Sequence, residues 1–286
     1  MSTSEPNWNA FYDDLLSNPY YLGTCDVLKN VTWSKIGSAN MLVDRASTSS
    51  DNGRHALDPV KLEVVARISA DRDDSRWLAP CGLWAGPERY ISKFEDLKLK
   101  YRLVAPDHKD RPIFTENFEV ALENLETLMS KVETKGYRKA GVLESPKTSI
   151  RLRHKVFELK VTDEEDDEDA FPLRDWPVEN DAARDALRDM DSTHRVNRIP
   201  LYNLEGDLVQ PSQCMDVLKG AVVRANFTMS HWRISDGVDN RDIYTADIRS
   251  LRVIPSPPVC PSTPRKKRAS IPTVDLGASP HKRHRT

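Results

Sequence analysis

The chain has 286 residues, of which 38% are hydrophobic and 30% are charged, and its formal net charge is −2. This length allows one large domain or two small ones, and the composition allows a packed core together with much solvated sequence. No stretch approaches the ~18–20 consecutive apolar residues of a membrane-spanning helix, so no membrane association is expected. Residues 1–6 lack the basic and apolar regions of a signal peptide, so secretion is not expected either.

Residues 1–56 are predicted to form a flexible leader that contains one short amphipathic segment. Its apolar side chains fall at helical spacing, and the dipeptide Asn18-Pro19 that follows them would end a helix. These side chains are Trp8, Phe11, Tyr12, Leu15 and Leu16. Two interpretations stay open: a short helix that packs back on the domain, or a segment, residues 8–16, that binds a protein partner.

Residues 57–255 are predicted to form a β-rich domain. Apolar and polar residues alternate, as in half-buried strands, around residues 62–68, 97–103, 150–161, 221–234 and 243–254. One helix is predicted from about residue 115 to residue 135, with Thr115 as its N-cap and Gly136 beyond its end. Residues 162–198 are predicted to be a long mobile insertion, which begins with seven consecutive acidic residues, 163–169.

Positive charge is concentrated at the end of the chain, where residues 256–286 contain seven basic residues and one acidic residue. Proline and serine are frequent there and apolar periodicity is lost, so a disordered basic tail is predicted. The tail contains a compact cationic run typical of nuclear-import signals, formed by Arg265, Lys266, Lys267 and Arg268. The sequence therefore predicts a nuclear location and a nuclear import receptor as a partner.

Patterns typical of catalytic or metal sites are not found in the sequence. The cysteines Cys25, Cys81, Cys214 and Cys260 are far apart and form no Cys-x-x-Cys pair, so no metal site is expected. The chain has 11 glycines and no phosphate-binding glycine loop. His231 has no acidic residue close to it in sequence and is predicted to be a partly exposed structural residue. We therefore expect a protein without enzymatic activity, metal or cofactor.

Alternating cations on the predicted strands indicate a surface for nucleic acid. If these strands lie side by side, their cations converge on one face, close to the indole of Trp232. Phosphates require positive charge, and unpaired bases stack on flat rings. The candidate nucleic-acid-binding residues are Lys98, Lys100, Arg102, Arg151, Arg153, Lys155, Arg224, Trp232 and Arg233. The alternative is an ordinary solvated face, because β-proteins often protect their strands with lysine and arginine.

Together these features predict a mainly β (α+β) fold, an OB-like small β-barrel or a curved antiparallel sheet, with one main helix and a long acidic insertion. From Leu218-Lys219-Gly220 onward, a glycine turn precedes a long strand, a hairpin and a closing strand. In this order residues 199–258 resemble the last strands of phage-type single-stranded-DNA-binding OB-fold proteins. Those proteins have an acidic C-terminus, whereas the tail here is basic. The same block, with its Pro257-Pro258 ending, also resembles a group of uncharacterised proteins from mushroom-type fungi.

The resulting prediction is a non-enzymatic nuclear protein that binds nucleic acid, preferring single-stranded DNA or RNA, through a basic and aromatic β face. The alternative is a protein-interaction or scaffold module without intrinsic affinity for nucleic acid, which would use residues 8–16 and the acidic segment. The two differ in salt dependence, because binding to phosphates weakens steeply with ionic strength and apolar docking does not.

Overall fold

The structure, a computed structural model, describes residues 7–50, 57–71, 84, 86, 93–107, 112–143, 146–160, 171–235, 237 and 239–255. The helices are α1 (Trp8–Ser17), α2 (Val27–Asn30), α3 (Arg45–Ser50), α4 (Pro112–Ser130), α5 (Asp181–Met190) and α6 (Cys214–Leu218). The strands are β1 (Val31–Ile36), β2 (Ala39–Asp44), β3 (Leu62–Ile68), β4 (Lys98–Val104), β5 (Arg138–Ala140), β6 (Ser149–Lys155), β7 (Phe157–Leu159), β8 (His194–Val196), β9 (Leu201–Tyr202), β10 (Val222–Ile234) and β11 (Arg241–Val253).

Five of the strands form a ring of hydrogen bonds. β3 pairs with β4, β4 with β6, β6 with β11, β11 with β10, and β10 returns to β3. All of these pairings are antiparallel except the parallel pair β6–β11. If the ring strands β3, β4, β6, β10 and β11 are numbered 1 to 5 in chain order, the order around the ring is 1-2-3-5-4 and strand 4 pairs with strand 1. This is the connectivity of an OB-fold, so the predicted fold class is confirmed.

The hairpin of β10 and β11 is the longest element of the sheet. Each strand has 13 residues, and their register shifts once, between Asn226 and Phe227. Near its turn, β10 pairs with β2, which in turn pairs with the edge strand β1. β11 pairs with β5 near the turn and with β9 at the other end. The hairpin therefore belongs both to the ring and to a wider sheet that extends the ring on two sides.

Alternation along the strands determines which residues enter the core. On β4 and β6 the residues Leu99, Tyr101, Leu103, Ile150 and Leu152 are buried, while their sequence neighbours point to the outer face. Helix α4 contributes one apolar stripe to the same core, formed by Phe118, Ala121, Leu125, Leu128 and Met129. The helix begins and ends earlier than predicted, and the Thr115 hydroxyl donates to the carbonyl of Pro106 instead of capping the helix.

The prediction of a flexible leader is wrong for residues 7–50. They form three helices and the β1–β2 hairpin, and Leu22, Val27, Val31 and Leu42 belong to the main core. Helix α1 packs on the outer side of β3 and β10 in a second apolar cluster. The buried members of this cluster are Leu15, Tyr21, Val65, Phe114, Val222 and Ile254, and Trp8, Phe11 and Tyr12 of α1 pack against them. Because α1 covers it, β3 is buried on both faces rather than on one.

The predicted mobile insertion is also partly wrong, because residues 171–198 pack on the core. Aromatic contacts join Trp176 of this segment to the core: Trp176 to Phe157 of β7 at 5.8 Å between ring centroids, and Phe157 to Phe94 at 5.2 Å. From α5, the side chains of Ala183, Leu187 and Met190 are buried in the same core. The acidic residues 163–169 lie outside the described residues.

The predicted basic tail and its cationic run, residues 265–268, also lie outside the described residues. Among the helices that the structure describes, we find none that combines the length and the apolar character needed to cross a membrane.

Candidate functional site

Six cations lie on the outer face of β4 and β6. Because β4 and β6 are antiparallel neighbours, each cation of one strand stands directly opposite a cation of the other. The three pairs, which we call rungs, are Lys98–Lys155, Lys100–Arg153 and Arg102–Arg151. We call the six residues the cationic ladder. The structure therefore brings these six candidate residues together on one face, which the sequence had left conditional on the two strands lying side by side.

The Lys98–Lys155 rung places two ammonium-bearing side chains opposite each other, whereas in the middle rung the Asp247 carboxylate binds Arg153. Like charges directly opposite each other destabilise a β-sheet, by about 0.2–1 kcal/mol for a cross-strand pair. Burial lowers the pKa of the Lys98 ammonium, and the positive charges of Arg153 and Lys155 lower it further, while the carboxylates of Asp247 and Asp96 act in the opposite direction. A face of this kind is suited to an anionic ligand, which would neutralise charges that repel one another.

Arg153 lies at the centre of the ladder and is held from two sides. Its Nε donates to Oδ1 of Asp247 at 2.6 Å and its Nη2 to Oδ2 at 3.1 Å, so the pair is bidentate. Asp247 is the β11 residue that faces Arg153 in the parallel pairing. The guanidinium carbon of Arg153 also lies 5.5 Å from the centre of the Trp232 ring, within the range of a cation–π contact.

Trp232 is half-buried on β10 and shares the outer wall with the ladder. It stands opposite Ile243, four positions before Asp247 on β11. Because β11 runs parallel to β6, this places the indole toward the end of the ladder formed by Arg102 and Arg151. The next residue, Arg233, is exposed and lies 6.0 Å from the ring of Tyr137, close to the turn of the hairpin.

Arg224 does not join the ladder, although its sequence pattern is the same. Its Nε and Nη2 donate to Glu63 at 2.6 and 3.0 Å, and its Nη1 donates to Asp14 at 2.6 Å. Glu63 is only 3% exposed and also accepts a hydrogen bond from Asn18 at 2.9 Å. The prediction that Arg224 belongs to the nucleic-acid-binding face is therefore corrected: Arg224 joins β10 to β3 through Glu63, because a buried carboxylate requires a cationic partner.

Two further cations near Trp232 were missed in the sequence. Arg138 of β5 and Arg241 of β11 face each other in register, and both contact the carboxylate of Asp239, at 3.2 and 3.3 Å. Neither strand alone indicates this cluster, because it depends on the parallel pairing of two segments about a hundred residues apart in sequence. The cluster lies at the turn end of the hairpin, beyond Trp232.

His231 is buried rather than partly exposed. Its Nε2 lies 3.0 Å from Oδ1 of Asp242, and Nδ1 of its ring lies 3.1 Å from the side-chain amide of Asn40. Asp242 is fully buried and accepts hydrogen bonds from both the backbone N–H and the hydroxyl of Thr134. The register of the hairpin brings the acid to the histidine, so sequence proximity was the wrong criterion.

The remaining candidate features are structural in the described part of the chain. Trp8, Phe11, Tyr12 and Leu15 are packed on the protein itself, as the first of the two interpretations of this segment held, and Leu16 remains 45% exposed. Across the described residues we find no group of three or more histidine, cysteine or acidic side chains that could hold a metal ion. Cys25 is exposed and Cys214 is buried, and both are free thiols.

Two phage proteins are among the solved structures to which the chain is similar. The single-stranded DNA-binding protein of bacteriophage Enc34, in complex with single-stranded DNA, has 11% sequence identity and a TM-score of 0.34, over 80% of this chain and 97% of that chain. The single-stranded DNA-binding protein gp2.5 of bacteriophage T7 has 9% identity and a TM-score of 0.33, over 69% of this chain and 92% of that chain. No protein-family model matches the chain, and no curated protein matches it. The resemblance to fungal proteins stays a prediction.

Proposed function

We propose that the protein is a non-enzymatic nucleic-acid-binding protein that takes up single-stranded DNA or RNA on the cationic ladder and stacks a base on Trp232. The observation that carries this proposal is the set of three like-charged rungs beside an indole on one outer wall. The rungs offer positive charge for phosphates, and the indole offers a flat surface for a base.

A single strand fits this surface better than a duplex. The base of a single strand is free to stack on an aromatic ring, and such stacking contributes ~1–3 kcal/mol per base without sequence preference. In OB-folds generally, the face of the second and third strands is a frequent site for oligonucleotides. β4 and β6 are the second and third strands of the ring, so the ladder occupies that face.

The alternative of an ordinary solvated face explains the rungs less well. The Lys98–Lys155 rung places two like charges directly opposite each other on neighbouring strands, which a face that needs cations only for solubility does not require. The scaffold alternative loses its main support as well, because the apolar side of residues 8–16 is used within the domain.

The test is fluorescence anisotropy with labelled oligo(dT) and oligo(rU) of about 20 nucleotides, longer than the ~4–16 nucleotides covered by one OB-fold. We expect binding that weakens as salt rises, preference over a duplex of equal length, and weaker binding by Trp232→Ala. Tyr202→Ala, which changes a half-buried aromatic at the other end of the hairpin, is the control. Absence of binding at low salt, or equal binding by Trp232→Ala and the wild type, would refute the proposal.

We also propose that the protein is imported into the nucleus through Arg265, Lys266, Lys267 and Arg268. The support is their compact run of positive charge within a proline- and serine-rich segment. A fluorescent reporter fused to residues 256–286 should accumulate in the nucleus, and the same fusion with these four residues changed to alanine should not. A reporter that stays in the cytoplasm would remove this assignment.

A further inference from the structure

We infer that Arg249 of β11 is a further phosphate-binding residue, which extends the Lys98–Lys155 rung onto a third strand. We call Lys98, Lys155 and Arg249 the cationic row. The inference rests on the proposed function and adds a residue that the cationic ladder does not contain. It places the main phosphate contact at the end of the outer wall away from Trp232.

A β-bulge sets the position of Arg249. The register of β10 and β11 shifts between Asn226 and Phe227, and Arg249 is the extra residue of β11 at this shift, without an opposite residue on β10. Bulges re-aim side chains and are frequent next to functional sites. The Arg249 side chain is exposed, and its Nε donates to the hydroxyl of Thr228 at 3.2 Å. The guanidinium is therefore held at its Nε while the rest of it faces solvent.

The pairing of β6 and β11 brings Arg249 level with Lys155. Arg153 faces Asp247 in this parallel pair, and two residues further along the two strands are Lys155 and Arg249. Because the strands run in the same direction and outward residues recur at every second position, these two cations lie side by side. On its other side Lys155 faces Lys98. The cationic row therefore crosses β4, β6 and β11.

An electrostatic effect on His154 agrees with this placement. His154 directly precedes Lys155 on β6, and its side chain is buried. Burial lowers the pKa of His154, and the positive charge of Arg249 lowers it further, while the hydrogen bond to Asn197 and the carboxylates of Glu158 and Asp247 act in the opposite direction. Arg249 is thus within electrostatic range of the end of β6.

The cationic row differs from the middle rung in its partners. Arg153 is bound by both oxygens of the Asp247 carboxylate. Within the described part of the chain, none of Lys98, Lys155 and Arg249 forms an ion pair with a carboxylate, and the bond of Arg249 to Thr228 is to a neutral hydroxyl. A phosphate at the row meets three positive charges and displaces no ion pair. The row is therefore a better place for a phosphate than the middle rung.

The experiment compares two substitutions of Arg249 that differ in charge. Arg249→Gln removes the positive charge, whereas Arg249→Lys keeps it. Lys35→Gln, which removes the charge of an exposed lysine on β1, is the control. For each protein, affinity for the labelled oligo(dT) is measured by anisotropy over a series of salt concentrations, and melting curves establish that it is folded.

For single strands, the slope of log K against log salt is about −0.7 for each neutralised phosphate. We expect Arg249→Gln to bind more weakly at low salt and to lose about 0.7 of the slope, while Arg249→Lys and Lys35→Gln keep the slope of the wild type.

Two results would overturn the inference while leaving nucleic-acid binding intact. One is an Arg249→Gln protein with the affinity and slope of the wild type. The other is an equal loss of affinity by Arg249→Gln and Arg249→Lys, which would assign Arg249 to the hydrogen bond with Thr228 instead of a phosphate. Absence of binding by the wild type would refute the proposed function itself.

Discussion

The ion pair of Arg224 on β10 and Glu63 on β3 should stabilise the part of the ring that lies under α1. Arg224→Met removes the guanidinium and leaves Glu63 without its cationic partner, in a position that is only 3% exposed. Breaking a buried ion pair by removing one partner typically costs about 3–5 kcal/mol, because the remaining charge is buried and uncompensated. The lost contact to Asp14 adds little, because the Asp14 side chain is 59% exposed.

This loss is large compared with the ~5–15 kcal/mol by which domains are usually stable. At about 2–4 °C per kcal/mol for a domain of this size, the melting temperature should fall by roughly 6–20 °C. Thermal and urea unfolding, followed by circular dichroism, measure this change. The control is Arg188→Met, which breaks an exposed pair with Asp185 and should cost less than about 1 kcal/mol.

The same variant separates a structural from a binding role of Arg224. At a temperature where Arg224→Met is folded, its affinity for oligo(dT) should stay within about twofold of the wild type, a change of about 0.4 kcal/mol. The double variant Glu63→Gln/Arg224→Met should recover part of the lost stability, since it leaves no buried charge. A stable Arg224→Met protein with greatly weakened binding would refute the reasoning and return Arg224 to the interface.

Three further predictions concern the ladder, the indole and a buried histidine. Lys98→Gln/Lys155→Gln removes a repulsive rung, so the free energy of unfolding should stay unchanged or rise by about 0.2–1 kcal/mol, while binding to oligo(dT) should weaken. A variant that urea unfolding shows to be less stable than the wild type would contradict this. Trp232→Ala should weaken binding by about 1–3 kcal/mol, a loss of roughly 5–150-fold in anisotropy titrations, and an unchanged affinity would exclude stacking. Burial lowers the pKa of His154, whose Nε2 donates to the carbonyl of Asn197. The unfolded chain therefore binds a proton at His154 as the pH falls below ~6.5, the pKa of an exposed histidine, and the stability of the folded protein should decrease there. In thermal melts, His154→Gln should reduce this decrease. A variant with the same dependence of melting temperature on pH as the wild type would contradict the prediction.

The strands of the ring could be predicted because their signal is local. Each exposes one side and buries the other, so apolar residues recur with a period of two and mark both the strand and its inward face. The same alternation correctly predicted that the cations of β4 and β6 point outward. It could not predict their pairing, because Lys98 stands opposite Lys155 only through hydrogen bonds between strands separated by α4 and β5.

The errors share one physical origin, which is a partner distant in sequence. Arg224 has the pattern of an outward cation, but its partner Glu63 lies 161 residues earlier. His231 and Asp242 are 11 residues apart and meet because the hairpin folds back in one particular register. The polar composition of residues 1–56 suggested a flexible leader, yet a few apolar side chains, such as Leu15 and Tyr21, are sufficient to dock this segment on β3.

The sequence by itself determined the five strands of the ring, the main helix, the mainly β class and the presence of cations on outward positions, because these follow from the chemistry of neighbouring residues. The tertiary structure alone decided which cations share a face and which are neutralised by a carboxylate. Electrostatic interactions depend on distance in space, and the closure of the ring sets those distances. For this reason Arg153 lies on the outer wall beside Trp232, paired with Asp247, while Arg224 is paired with the buried Glu63 and contacts α1 through Asp14.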